Sequence, residues 1–243
     1  MNDDSSAPPS ARHPGWLLDE MSTAGRENLD ADHVARYDAK MDAGADDEVA
    51  LLRSLGVTAR SVVVDLGAGT GQLTVAVAPA CARVVAVDVS PVMLARLRGR
   101  VRDAGLTNVD VVRGGFLTYA HAGDLADVVY SRYALHHLPD FWKAIALVRI
   151  RAMLRPGGVL RLSDVVWSFG PDEAPERIEA WCATAGAQVE GEWTRDELEE
   201  HVRDEHSTFT WLLEPMIERA GFDIETASYT PDGVDAQYVL RAV

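Results

Sequence analysis

Five short aliphatic runs, at 61–66, 82–87, 108–112, 126–131 and 159–164, set the rhythm of the chain. Most are nearly unbroken blocks of Val, Leu and Ala, the pattern of strands covered on both faces. Helical spacing fills the gaps at 72–80, from Ser90 onward and at 142–154, where Arg155-Pro156-Gly157-Gly158 supplies a stop. Strand and helix in turn predict an α/β fold, a parallel sheet with helices on both faces. Ahead of the first strand, helical patterns cover 16–21, 30–41 and 46–55. The second has Asp30 as N-cap and His33, Tyr37 and Met41 along one face. After the fifth strand, helices over 175–185 and 194–204 are interleaved with Trp167, Phe169, Trp181 and Trp193, so 165–208 reads as a helical cap. A last helix over 208–220 stops at Gly221, and strands over 222–228 and 236–241 flank the turn Pro231-Asp232-Gly233. Residues 1–15, rich in Ser, Pro and Ala, are expected to be a disordered leader, leaving 16–243 as one domain.

The first aliphatic strand runs straight into a turn with glycine at 67, 69 and 71, and carries Asp65 two residues ahead of it. Strand, glycine turn and helix N-terminus together make a nucleotide pocket. The spacing G-x-G-x-G differs from the dinucleotide fingerprint G-x-G-x-x-G, and there is no phosphate loop with its Lys. An acid beside the turn repels a diphosphate and suits a ligand that carries an ammonium group. The second strand ends at Asp88, 17 positions beyond the last glycine. There a carboxylate is placed to accept hydrogen bonds from both ribose hydroxyls of an adenosine.

With D-x-G-x-G-x-G at the end of a first strand and an acid at the tip of the second, the chain resembles the class I S-adenosylmethionine-dependent methyltransferases. The resemblance covers roughly 45–164 and 209–243 and implies a Rossmann-like, seven-stranded, mostly parallel sheet with helices on both faces. It implies S-adenosylmethionine (SAM) as cofactor, held by Asp65, Gly67, Ala68, Gly69, Gly71 and Asp88. Val89 and Met93 continue the family pattern, with Ser90 capping the next helix. The turn after the third strand borders the adenine, and where the family often has an aspartate this chain has Gly115, which leaves backbone and Phe116 as the adenine wall. The loop after the fourth strand faces the methyl donor in this fold, so Ser131, Arg132 and Tyr133 are expected in the reaction cavity. Tyr133 and His137 are the candidate catalytic residues, while one imidazole of His136-His137 braces the loop in many relatives. Tyr37 is read either as part of a lid at the cofactor's methionine end or as a buttress on the sheet.

Composition narrows the rest. A net charge of −15 argues against nucleic acid as substrate, since phosphate binding needs a basic surface. Between Asp172 and Glu205 there are twelve Asp and Glu against three Arg. No apolar run is long enough for a membrane span, and 1–14 lacks a signal-peptide pattern, so a cytoplasmic protein is expected. Cys81 and Cys182 are read as small buried residues, not as metal ligands. Glu197, His201 and Glu205 recur every four residues; an exposed charged stripe is the expected reading, and no metal site is assigned. The leading function is methyl transfer to a small, uncharged or cationic acceptor by in-line displacement. The alternatives are self-cleavage of SAM with release of methylthioadenosine, and a protein that binds the ligand without turnover.

Overall fold

A computed structural model describes residues 14–25, 44–185 and 193–243. The expected helix over 30–41 with Tyr37, and nearly all of the leader, lie outside the described residues. Each aliphatic run becomes a strand: β1 Val62–Leu66, β2 Arg83–Asp88, β3 Val109–Arg113, β4 Ala126–Arg132 and β5 Leu154–Trp167. A two-residue β6, Thr208–Phe209, follows, then β7 Phe222–Tyr229 and β8 Asp235–Ala242. The main sheet has the order β3-β2-β1-β4-β5-β8-β7, with β6 paired separately to the end of β5. Strands β1 to β5 are mutually parallel, and β8 and β7 add antiparallel at the edge.

Because successive side chains of a strand point to opposite faces, β1 serves two cores. Val63 joins Leu52, Leu73 and Val77 on one side, whereas Val64 and Leu66 join Leu147, Ile150, Leu213 and Ile217 on the other. The helices supplying those residues are α2 Ala45–Ser54 and α3 Gln72–Val77 on the first face, and α5 Asp140–Met153 and α8 Thr210–Arg219 on the second. Helix α4, Pro91–Asp103, opens on the Ser90 hydroxyl, which accepts from Met93 N. The N-terminal pattern over 16–21 shortens to α1, Glu20–Thr23, capped by Asp19.

Strand β5 departs most from its expected bounds. Ala126 pairs with Leu154 and Val128 with Val159, so five residues of β5 span what two cover on β4, and the Arg-Pro-Gly-Gly stop bulges out of a continuing strand. Beyond β5, helices α6 Ala174–Cys182 and α7 Arg195–Asp204 pack around a small third core. In it Val165, Trp167, Phe169 and Val234 meet Trp181, Val202 and Tyr133. Trp181 thus serves the core of this helical segment.

Candidate active site

Strand order reverses between β1 and β4, and ligands of open α/β sheets bind above the carboxyl ends of the strands at such a reversal. An open cleft lies there, walled by Gly67, Gly69, Asp88, Val89, Phe116 and Tyr133 among others.

The glycine turn is closed by its own hydrogen bonds. Gly67 N and Ala68 N both donate to Val87 O, at 2.9 and 3.0 Å, and Gly71 N donates to Ala68 O at 2.9 Å. Gly69 N donates to Asp88 Oδ2 at 2.8 Å. Four amides that a diphosphate site would turn outward are therefore spent inside the protein. Two of the glycines answer to packing: a Cβ on Gly67 would overlap Ala134, and one on Gly71 would lie 2.7 Å from Leu97 Cγ. A Cβ on Gly69 would meet no protein atom within 4 Å, because that position faces the cleft.

Asp65 and Asp88 stand at neighbouring strand ends, as expected, but only Asp88 lines the cleft. Asp65 is 3% exposed and its Oδ2 accepts from Thr74 Oγ1 at 2.5 Å. It shares the face of β1 that packs on α3, so its carboxyl ties helix to strand beneath the turn. The carboxyl expected at the cofactor is thus engaged by Thr74 and is not among the residues that line the cleft. Burial, with the nearby Asp88 charge adding to it, lifts its pKa to about 6. Asp88 accepts from Ser90 N on Oδ1 and from Gly69 N on Oδ2, both at 2.8 Å. Each oxygen keeps a further lone pair for a diol.

Gly115 and Phe116 line the opposite wall, and a residue the sequence reading overlooked joins them there. Glu20, on α1, is 7% exposed. Its Oε2 accepts from Leu117 N and Thr118 Oγ1, each at 3.1 Å, while a Cβ on Gly115 would overlap Oε1. Burial raises its pKa above the usual carboxylate value. The glycine that departs from the family pattern thus makes room for a carboxylate delivered from the other end of the chain. No motif marks Glu20; the only hint was an acid in a short amphipathic stretch.

Tyr133, after β4, is the only non-glycine described residue with a positive φ, 49°. Its N–H donates to Ser163 O at 2.9 Å, the Arg132 guanidinium lies 5.1 Å from its ring centroid, and its hydroxyl hydrogen-bonds Asp235. Burial lifts the phenol to about 12 and Asp235 to about 6. His137 also lines the cleft, and burial, reinforced by the neighbouring His136 charge, lowers its imidazole to about 3. Both candidate catalytic groups are therefore neutral at pH 7.

His136 is the bracing imidazole. Its Nδ1 bonds Asp164 Oδ1, and Asp164 Oδ2 accepts from Leu135 N at 2.8 Å and His136 N at 3.2 Å. Although burial opposes its charge, the carboxylates of Asp164 and Glu205 hold it up to about 10. Met93 and Ser131, both 0% exposed, are not among the residues that line the cleft, nor are Ala68 and Gly71. The supposed stripe on α7 is not a surface feature. Glu197 closes a capping box with Thr194, and His201 and Glu205 turn inward, with side chains 14% and 12% exposed.

Among the described residues no helix is long and apolar enough to cross a membrane. The family described as "Methyltransferase domain" matches residues 63–158, from β1 through the bulge of β5. An uncharacterized methyltransferase of Anoxybacillus flavithermus is 30% identical over 171 residues, covering 70% of this chain and 72% of that protein. The magnesium protoporphyrin IX methyltransferase of Synechocystis PCC 6803, solved with bound SAM, superposes with a TM-score of 0.64 at 15% identity over 95% of this chain and all of that one. The [4+2]-cyclase SpnF superposes with a TM-score of 0.61 at 16% identity over 81% of this chain and 80% of that chain, so the architecture alone does not specify the reaction. A matching family, a relative aligned over more than two thirds of both chains and the D-x-G-x-G-x-G turn agree: this chain belongs to the class I SAM-dependent methyltransferases, enzymes that use S-adenosylmethionine as cofactor.

Proposed function

We propose that the protein transfers the methyl group of SAM to a small, uncharged or cationic acceptor by in-line displacement. The observation that carries this reading is the pairing of Asp88 with an open Gly69 on one wall of the cleft and of Tyr133 with His137 on another. In this reading Asp88 accepts the ribose hydroxyls. Val89 and Phe116 flank the adenine, and Glu20 Oε1 accepts its exocyclic amine in place of a side chain at Gly115. Asp65 acts through the turn, holding α3 in place. The segment 165–208 caps the acceptor side.

The sulfonium makes its methyl carbon electrophilic, so the chain's task is to hold the acceptor in line and keep water out. A phenol near 12 and an imidazole near 3 are poor bases at neutral pH. Tyr133 and His137 therefore serve as orienting groups, which suits an acceptor whose nucleophile needs little deprotonation, an amine or thiolate rather than an alcohol. Self-cleavage of SAM is not favoured, since the relative aligned over 72% of its length carries the methyltransferase name.

Incubating the protein with SAM and a panel of small amines and thiols, with products identified by mass, tests the reading. S-adenosylhomocysteine (SAH) should form together with a methylated acceptor. Methylthioadenosine formed without any acceptor would overturn it. Asp88→Ala should weaken SAM binding by about 1–3 kcal/mol, roughly 5–150-fold, through lost charge-assisted bonds; calorimetry with unchanged affinity would refute the ribose assignment.

A further inference from the structure

Behind the His137 wall, the donor loop and α7 bring three metal-binding side chains to one point. His136 lies on the single-turn helix Leu135–His137, and His201 and Glu205 sit one turn apart at the end of α7. One ligand atom from each falls within 4.8 Å of the others. Each imidazole already spends its outer nitrogen: His136 Nδ1 on Asp164 Oδ1, and His201 Nε2 on Ser207 Oγ at 2.8 Å. The inner nitrogens, His136 Nε2 and His201 Nδ1, then face the same atom, Glu205 Oε2, at 3.0 and 2.5 Å. That oxygen is buried, yet neither contact is aligned as a hydrogen bond.

We propose that His136 Nε2, His201 Nδ1 and a Glu205 carboxylate oxygen bind one divalent transition-metal ion of the zinc class. Two imidazoles and a carboxylate are a common donor set for such ions, and three protein ligands leave a fourth position for water or a bound group. Asp164 and Ser207 provide the outer hydrogen bonds that fix ring orientation in metal-ligating histidines. The backbone is already set, because His206 N donates to His136 O at 2.9 Å, so the residue after Glu205 is pinned to the donor loop. Trp181 and Trp167, with ring centroids 5.5 and 6.5 Å from that of His201, give the site an apolar shell. Ligands about 2 Å from a tetrahedral ion lie roughly 3.3 Å apart. Binding therefore needs the His201–Glu205 contact to open by less than about 1 Å and the three ligand atoms, now within 4.8 Å of one another, to settle at about 3.3 Å, a side-chain adjustment. The ion would tie the cap to the loop that carries Tyr133 and His137, a role separate from SAM binding.

The full chain, stripped with a chelator and dialysed against zinc chloride, should retain one zinc per chain by elemental analysis. With cobalt(II) in place of zinc it should develop the visible absorption of a low-coordinate site. Glu205→Gln and His201→Gln should each weaken zinc binding by about 100-fold or more, beyond the roughly 10–100-fold that loss of an outer hydrogen-bond partner costs. Asp196→Asn, on the exposed side of α7, should bind as the wild type does. Folding of every variant is checked by circular dichroism and SAH binding, so a misfolded protein is not scored. A wild-type chain that binds SAH but retains no zinc and gives no cobalt band would overturn the proposal. Undiminished zinc in both ligand variants would also do so.

Discussion

Glu20 and Asp65 are both buried carboxyls within reach of the cleft, yet burial leaves them different work. Glu20 keeps Oε1 against Gly115, on the wall proposed to border the adenine, while Oε2 is held by Leu117 N and Thr118 Oγ1. If Oε1 accepts the exocyclic amine, the site should prefer SAH to its 6-oxo analogue. Glu20→Gln should shrink the preference by about 1.5–3 kcal/mol, roughly 10–150-fold, the worth of a hydrogen bond to a charged group. Equal discrimination in both proteins, measured by calorimetry, would return the adenine to backbone recognition. Asp65 titrates instead. Its native pKa, about 6, exceeds the ordinary 3.8, so the folded protein holds that proton more tightly than the unfolded chain does. The contribution is complete below about 3.8 and is lost as pH rises through about 6. Relative to Asp65→Asn, the wild type should therefore lose on the order of 3 kcal/mol of stability between pH 4 and 7, read by denaturant unfolding. A pH-independent difference would mean that Asp65 is charged throughout. The two cases mark what a sequence conveys about single residues. Asp65 and Asp88 were legible because motif spacing fixes which strand tip they occupy. Which way Asp65 points followed from the pleat of β1, and Glu20 was invisible because nothing local ties position 20 to the turn at 115.

At the scale of elements, the β1 turn and the β4 loop are jammed together. A methyl on Gly67 would overlap Ala134, and Gly67 has φ of 79°. Gly67→Ala should cost about 2–4 kcal/mol, part backbone strain and part overpacking. Ala134→Gly removes the overlap and leaves the strain, so the double variant should recover about 1–2 kcal/mol in a double-mutant cycle. Strict additivity would show that the loop yields freely, and the geometry of Tyr133 would then be less fixed than its positive φ implies. Element existence was legible throughout the core because aliphatic blocks and glycine stops are local signals. Element ends were not: β5 runs past the Arg-Pro-Gly-Gly stop since pairing to β4 on one side and β8 on the other holds the strand through a bulge. Helix α7 was found at its expected place but misjudged in orientation. A charged four-residue repeat reads as surface until a partner such as His136 covers it from 65 residues away.

For the whole molecule, a net charge of −15 creates a field that the cofactor itself can report on. The sulfonium gives SAM one net positive charge, and its demethylated product SAH has none. A strongly negative protein attracts the first over long distances and is indifferent to the second, an effect that acts on association rates and is screened by salt. The association rate of SAM should therefore fall as ionic strength rises from about 0.01 M to 1 M, where the Debye length shrinks from about 30 to 3 Å. The rate for SAH should stay nearly flat. Stopped-flow fluorescence can measure both. Trp16 and Trp142 stack 6.2 Å apart, and the chain's tryptophans offer an intrinsic fluorescence signal. Product release then gains the same asymmetry: once the methyl has left, the electrostatic attraction that drew the cofactor in is gone, and SAH is held by hydrogen bonds and packing alone. Equal salt slopes for the two ligands would show that the acidic charge, concentrated between Asp172 and Glu205, lies too far from the mouth of the cleft to steer anything into it.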